Sequence, residues 1–142
     1  MPATAWSFYT RAKRKIGNAT INLGSNNFLI GLFTSASNAS TATLSTYASV
    51  SNEVANGNGY VTGGQALGSR VWTTSGTAIK FDAADPIWTA TGGNIANIKF
   101  AVIKNSAGQA LCWSRLTTAQ FTLTTNNTLT IQFATAGIFT LT

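Results

Sequence analysis

Two short apolar runs flank a set of turn residues in the stretch Lys99-Phe-Ala-Val-Ile-Lys104, Asn105-Ser-Ala-Gly108 and Ala110-Leu-Cys-Trp-Ser-Arg-Leu116. Each run has the length of a strand rather than of a helix. Asn and Ser side chains bond to nearby backbone groups, and Gly adopts positive φ without a steric cost, so the residues between the runs favour a tight turn. The stretch therefore predicts a β-hairpin.

Further short strands are predicted on both sides of this hairpin. Phe28 to Phe33 is apolar throughout, as in a strand that is buried on both faces. Residues 121–133 alternate apolar residues with Thr around Asn126-Asn127, which predicts a second hairpin. Additional strands are predicted at Val71 to Thr74, Ile79 to Asp82, Ile87 to Thr91 and Ile138 to Thr142. This spacing indicates a mainly β fold, an antiparallel β-sandwich or jelly-roll-like domain.

The N-terminal segment has a helical period instead. Its apolar residues fall on one face at helical spacing: Ala5, Phe8, Tyr9, Ala12 and Ile16. We predict a short amphipathic helix from Ala5 to Ile16, with Thr4 as its N-cap and Gly17 as its stop signal. The 142 residues would then form a single domain, with the helix and a basic segment in residues 1–17 and the sandwich in residues 18–142.

The composition limits the available chemistry. The chain has no His, one Cys and three acidic residues, Glu53, Asp82 and Asp85. Most enzyme mechanisms and metal sites draw on histidine or on clustered carboxylates. The sequence therefore predicts no enzymatic activity, no metal and no cofactor. Cys112 lies between Leu111 and Trp113 and is expected to be a buried thiol.

Charge is sparse and unevenly placed. Charged residues make up 8% of the chain, against about a quarter in ordinary soluble domains. Of nine basic residues, four lie within five positions: Arg11, Lys13, Arg14 and Lys15. DNA binding is not favoured, because the rest of the chain offers no extended basic face. The cluster could instead have no binding role and form a solvated helix face, where cations near the helix C-terminus complement the helix dipole.

A glycine-rich segment invites comparison with a phosphate-binding loop: Gly57-Asn-Gly59-Tyr60-Val-Thr-Gly63-Gly64. Its spacing does not match the dinucleotide fingerprint, and no Gly-Lys-Ser/Thr follows. We interpret it as a structural loop whose glycines permit positive φ while Tyr60 anchors it. Glu53 is expected to accept hydrogen bonds from its backbone amides.

Two further sets of residues have both a structural and a functional interpretation. Asp82 and Asp85 could serve a glycosidase or bind a cation, but their position before Pro86 favours a turn capped by Asp side chains. The tryptophans could form a platform for sugars, although their apolar neighbours favour core packing. They are Trp6, Trp72, Trp88 and Trp113.

Several ordered motifs carry a family resemblance. They are Trp6-Ser-Phe-Tyr with Ala12-Lys13, Phe33-Thr-Ser-Ala-Ser, Glu53-Val-Ala-Asn-Gly-Asn-Gly-Tyr60-Val-Thr-Gly63-Gly64, Phe81-Asp82-Ala-Ala-Asp85 with Trp88, and Phe100-Ala-Val-Ile-Lys. By these motifs the chain resembles small virion proteins of tailed bacteriophages, above all capsid decoration (cement) proteins. The resemblance covers nearly the whole chain. It implies a β-rich domain that coats the head as a homotrimer and bridges neighbouring major capsid subunits.

The N-terminal segment is the candidate partner surface. Its cations, Arg11, Lys13, Arg14 and Lys15, are expected to face an acidic capsid surface, and Trp6, Phe8 and Tyr9 are expected to anchor the contact. The alternative function is a head fibre or tail component that recognises host-surface glycan. Because the sequence contains neither a membrane span nor a signal peptide, we expect synthesis in the host bacterial cytoplasm and a final location on the virion.

Overall fold

The computed structural model describes residues 5–142. The chain is mainly β, with several antiparallel sheets and one short helix, as the sequence predicts. In order, the elements are β1 (Ser7–Phe8), α1 (Thr10–Gly17), β2 (Phe28–Thr34), a 3-10 turn (Tyr47–Ser49), β3 (Gln65–Ala66), β4 (Val71–Ser75), β5 (Ala78–Asp82), β6 (Ile87–Thr89), β7 (Ile95–Asn105), β8 (Ala110–Arg115), β9 (Phe121–Leu123), β10 (Thr128–Thr130) and β11 (Phe139–Leu141).

The largest sheet of the described chain has the strand order β1-β8-β7-β2-β3, and β9 also pairs with β7. The predicted hairpin forms its β7–β8 pair. Its turn closes through two bonds: the Gly108 amide donates to the Asn105 carbonyl at 3.0 Å, and the Gln109 amide donates to Asn105 Oδ1 at 2.9 Å. Cys112 is fully buried on β8, as expected.

The central strand β2 is covered on both faces, as the sequence predicts. Phe28 packs against Phe81 of β5, with ring centroids 5.1 Å apart. Phe33, on the opposite face by strand alternation, packs against Tyr47 at 5.3 Å. One cover is the small sheet β11-β5-β4, and the other is the loop between β2 and β3. The arrangement is a β-sandwich-like core with a loop layer outside it.

The predicted hairpin in residues 121–133 does not form. β9 pairs with β7, and β10 pairs with β6. The Asn126 amide donates to the Ala90 carbonyl at 2.7 Å, and the Ala90 amide donates to the Asn127 carbonyl at 3.0 Å. The Asn-Asn segment therefore binds the chain beyond β6, and the two strands diverge to different partners.

The N-terminal helix begins later than predicted. Ser7 and Phe8 form β1, which pairs with β8, and Tyr9 is still extended. The Tyr9 amide donates to the Leu111 carbonyl at 3.2 Å, so sheet pairing replaces the first predicted helical turn. The helix includes Gly17 as its last residue. The predicted N-cap, Thr4, lies outside the described residues.

Candidate functional site

Three of the four clustered cations project into solvent from α1. Arg11, Lys13 and Arg14 are exposed, and we call Arg11 and Arg14, which share one flank of the helix, the cationic face. Within residues 5–142 the only ion pair joins Lys80 to Asp82, at 3.3 Å. No carboxylate of the described chain therefore neutralises the cationic face.

Lys15 has a different role from its neighbours. Its Nζ donates to the Ser45 carbonyl at 2.8 Å, to Ser45 Oγ at 2.7 Å and to Gln109 Oε1. Partial burial and the nearby Arg11 charge lower the pKa of Lys15. Its three donors are thus engaged within the chain, where they tie α1 to the loop and to the β7–β8 turn. The prediction that Lys15 serves a partner is not supported by this geometry.

A cavity of about 220 Å³ lies on the same flank of α1 as Lys15. Arg11, Arg14 and Lys15 line it together with neutral polar residues, and no carboxylate contributes to the lining. A single anionic group placed here would meet three positive charges.

The opposite flank of α1 carries an almost entirely apolar cavity of about 270 Å³, which we call the apolar groove. Phe8, Ile16, Leu141 and the stem of Lys13 line it. Successive helical residues are about 100° apart, which places the Lys13 and Ile16 side away from the Arg11 and Arg14 side. The helix therefore carries Arg11 and Arg14 on one flank and the apolar groove, which Lys13 borders, on the other.

The predicted aromatic anchors mostly pack against other residues of the same chain. Tyr9 is fully buried, and its hydroxyl donates to the Ala39 carbonyl at 2.6 Å. Burial, with a smaller effect of Cys112, raises the pKa of Tyr9. Trp6 packs on Phe133 at 5.8 Å and is only half-buried. The prediction of Tyr9 as a surface anchor is wrong, because the chain stays extended at Tyr9, next to β8, and the side chain is buried in the core.

Phe8 contacts both the aromatic core and the surface of the apolar groove. Its ring packs edge-on against Phe139, with centroids 4.5 Å apart, and it also lines the apolar groove. Of the three predicted anchors, Phe8 therefore has the best-defined place at a surface that a partner could contact.

A second polar centre lies around Glu53, and we call it the Glu53 centre. Glu53 Oε1 accepts bonds from the Tyr47 hydroxyl at 2.7 Å, the Tyr60 hydroxyl at 2.6 Å and the Gly63 amide at 2.7 Å. The Gly63 bond confirms that Glu53 binds the glycine loop. Tyr60 is buried and also accepts from the Leu32 amide at 2.9 Å.

Burial, and then the contacts of the Glu53 centre, raise the pKa of both tyrosines. For Tyr47 the largest cause is burial, followed by the proximity of Tyr60 and the bond to Glu53. For Tyr60 the causes are burial and then the bond to Glu53. Both hydroxyls are therefore held in the protonated form, in which they can donate to the carboxylate.

The glycine loop packs too tightly to cradle a phosphate. Gly57 and Tyr60 exchange backbone bonds of 2.8 and 3.0 Å, which consume those amides. At Gly64, where φ is +82°, an added Cβ would lie 2.1 Å from the Ile30 carbonyl oxygen. Gly59 has φ of +95° and a similar approach to Thr89. The structural interpretation of the loop is confirmed.

Sequence reasoning missed Tyr47 and Gly31 at this centre. A Cβ at Gly31 would lie 1.8 Å from Tyr47 Oη, so only glycine admits the tyrosine here. Lys104 Nζ lies 3.9 Å from the centroid of the same ring. The available signal was an isolated Gly inside an apolar strand, which often marks a close approach.

Asp82 and Asp85 accept hydrogen bonds from different parts of the chain. Asp82 Oδ1 accepts from the next amide, that of Ala83, at 2.9 Å, which is the predicted turn-capping role. Asp85 Oδ1 accepts from the distant Phe133 amide at 2.9 Å, beside the buried Pro86. No group of three or more acidic, Cys or His residues suited to a metal occurs in the described chain.

The tryptophans are divided among separate aromatic contacts. Trp88 is buried, and the other three are half-buried. Trp6 packs on Phe133, Trp72 on Phe139 and Trp113 on Phe100. Core packing accounts for Trp88. Trp113 also borders a cavity that is lined by two basic side chains, those of Lys99 and Arg115.

No helix within residues 5–142 is long and apolar enough to cross a bilayer. No protein-family model, curated protein or solved structure matches the chain. Function is therefore inferred from the surface chemistry of the described residues and from the motifs of the sequence.

Proposed function

We propose that this protein is a structural virion protein, a capsid decoration (cement) protein that binds the outer surface of a phage head and bridges neighbouring major capsid subunits. The observation that carries the proposal is the separation of charge. The cationic face is exposed and unneutralised, whereas every carboxylate side chain accepts a bond within its own chain. The motif resemblance supplies the class of protein.

The separation of charge supports a partner with an acidic surface. A second copy of the chain contributes only three acidic residues. Glu53 and Asp82 are half-buried, and Asp85, although exposed, accepts a bond from the Phe133 amide of its own chain. In this proposal the cationic face meets a different molecule with an acidic surface, the major capsid protein. Complementary charges steer association and suppress wrong partners more than they add affinity.

The apolar groove supplies the second half of the contact. A groove of about 270 Å³ beside α1 can admit an apolar side chain of the partner, and such buried contacts carry much of the energy of an interface. Because the cationic face and the apolar groove occupy opposite flanks of one helix, a capsid segment that crosses α1 would be fixed in one orientation.

In this proposal three copies of the chain form a homotrimer through their uncharged polar surfaces. With 8% charged residues, closely packed copies experience little like-charge repulsion. Each contact with the shell is then repeated by symmetry. A standard interface of roughly 1,600 Å², multiplied over a lattice, resists the separation of capsid subunits.

Copy number tests the proposal. Quantitative staining of purified particles would compare this protein with the major capsid protein. A cement protein approaches the number of capsid subunits, whereas a fibre or tail component is present in a few to some tens of copies. A copy number in the lower range would contradict the proposal. Light scattering of the purified chain tests the trimer separately.

Host-surface recognition is the second candidate function. One observation favours it: Trp113 borders a cavity that combines aromatic, hydroxyl and cationic groups. Among the described residues, none lines both that cavity and the cationic face or the apolar groove, so the two functions can coexist in one protein.

A further inference from the structure

A cavity of about 310 Å³ opens at the β1 edge of the largest sheet, and we call it the edge pocket. Its volume is at the lower end of the range for small-ligand sites, which suits one compact ring rather than an extended ligand. The residues that give it chemical character are Ser7, Ser40, Lys99, Phe100, Trp113 and Arg115.

The strand register assembles most of this pocket. Ser7 lies opposite Trp113 in the β1–β8 pair, and Phe100 lies opposite Arg115 in the β7–β8 pair. Residues two apart on a strand share a face, so Trp113 and Arg115 project to the same side. Ser40 reaches the pocket from the loop after β2.

Aromatic surface forms one wall. Trp113 is half-buried and meets Phe100 edge-on, with centroids 6.2 Å apart. Phe100 is 7% exposed, so the indole supplies most of the accessible ring surface. Such a wall favours a ligand with an apolar face, and a bare inorganic anion would make no use of it.

Positive charge and hydroxyls form the remaining walls. Lys99 Nζ lies 5.6 Å from the Phe100 ring centroid, and Arg115 is exposed at the same opening. None of the three acidic residues of the chain lines the pocket. A guanidinium has five N–H donors, enough to bind a carboxylate through a pair of them while it keeps another contact, and serine hydroxyls both donate and accept hydrogen bonds.

We propose that the edge pocket binds one acidic sugar unit, a hexuronate or a sialic acid, of a host-surface polysaccharide. The C–H face of the sugar ring packs on Trp113, its carboxylate lies between Lys99 and Arg115, and its hydroxyls bond to Ser7 and Ser40. A nucleotide stacked on Trp113 is less well matched, because single-stranded nucleic acid requires a groove that follows its backbone. The site does not depend on capsid docking, and it would let a decorated head adhere to a glycan-covered surface.

The test is a titration of the purified full-length chain with trigalacturonate and with sialyllactose. Matched neutral probes are fully methyl-esterified trigalacturonate and lactose, and oligothymidylate represents nucleic acid. Calorimetry gives the affinity, and tryptophan fluorescence reports on the indole. We expect saturable binding of at least one acidic sugar, and at least roughly tenfold weaker binding of its neutral counterpart.

Variants locate the site. Lys99→Ser and Arg115→Ser should each weaken binding of the acidic sugar several-fold, and Trp113→Phe should remove most of the fluorescence change. Lys80→Ser and Trp72→Phe, which alter residues outside the pocket, should leave both signals unchanged. Circular dichroism verifies that every variant is folded.

Several results would overturn the proposal. They are no saturation by either acidic sugar at millimolar concentration, equal binding of the acidic and neutral probes, tighter binding of oligothymidylate, or unchanged affinity in both folded cation variants. Because this assay contains no phage particles, its failure would leave the cement proposal, which copy number tests, untouched.

Discussion

The Glu53 centre and the cationic face of α1 use charge in opposite ways. Glu53 is half-buried and holds three donors from two tyrosines and a glycine amide on one oxygen. Arg11 and Arg14 are exposed and have no carboxylate partner among the described residues. The scarce acids therefore stabilise the fold, while the cations remain available to another molecule. Changes at the first region should alter stability, and changes at the second should alter binding.

The largest expected effect is alkaline destabilisation of the interior. The pKa values of Tyr9, Tyr47 and Tyr60 are raised in the folded state, chiefly by burial, whereas unfolded tyrosine titrates near pH 10. Above that pH the unfolded chain releases protons that the folded chain retains, so stability falls as pH rises. By pH 11 the three tyrosines should cost about 4 kcal/mol. Burial raises the pKa of Cys112 as well, which adds to the loss.

Denaturant unfolding at several pH values measures this effect. Lys15 acts weakly in the opposite direction, because its pKa is lowered in the folded state. Since the chain has no histidine, we expect no comparable change between about pH 6 and pH 8. Unchanged stability at pH 11 would contradict the buried, protonated tyrosines, and loss of the protein from particles at pH 6 would contradict a charge-stable coat.

Gly64→Ala should have the next largest effect. The new Cβ would meet the Ile30 carbonyl oxygen at 2.1 Å, at a residue whose φ is +82°. Backbone strain and overpacking together predict a loss of about 4 kcal/mol. Gly17→Ala is the matched control, because a Cβ there has no neighbour within 4 Å and a helical Ala is expected to be neutral or stabilising. Equal stability of the two variants would refute the close packing of the loop.

Glu53→Ala should destabilise the fold by about 3 kcal/mol, because it leaves the donors of Tyr47, Tyr60 and Gly63 without their acceptor. Glu53→Gln retains an acceptor oxygen and should cost less than half as much. Asp85→Ala is the control, since it removes one exposed bond to Phe133 and should cost about 1 kcal/mol. Denaturant midpoints at neutral pH rank the three variants. A smaller loss for Glu53→Ala than for Asp85→Ala would contradict the central role of Glu53.

The smallest stability effect is expected at Lys15, a half-buried cation of α1 whose ammonium group is hydrogen-bonded within the chain. Lys15→Met keeps the apolar stem but loses the bonds to Ser45 and Gln109, which predicts a loss of about 1 kcal/mol. Arg14→Ser, on the exposed side of the helix, should change stability by less than about 0.5 kcal/mol. If Arg14→Ser proved the more destabilising, the division between structural and available cations would be wrong.

Local signals in the sequence predicted the features that depend on nearby residues. The β7–β8 hairpin follows from turn residues between two apolar runs, and the Glu53 bond to Gly63 joins residues of a single loop. The β9–β10 hairpin failed because the Asn126-Asn127 segment binds Ala90, and no local pattern encodes that partner. Strand choice among distant segments is decided by tertiary packing.

The candidate surface was predictable only in part. Trp6 and Phe8 suit a period of two as well as the helical period, so the pattern could not distinguish β1 from an earlier start of α1. The cations were evident from composition, but the apolar groove requires Leu141, which β11 brings to α1 by pairing with β5. Tyr47 follows a polar segment without periodicity, and nothing local marked it as part of the Glu53 centre.

The most direct test of docking through α1 is the binding of purified variants to heads that lack this protein, measured by co-sedimentation at low and raised salt. Arg11→Ser combined with Arg14→Ser should weaken binding at low salt by at least roughly tenfold and reduce its salt dependence. The matched Arg11→Lys and Arg14→Lys variant keeps the charge and should bind nearly as well as the unaltered chain. If the doubly substituted serine variant is folded yet binds heads as tightly as the unaltered chain at every salt concentration, the cationic face of α1 is not the docking surface.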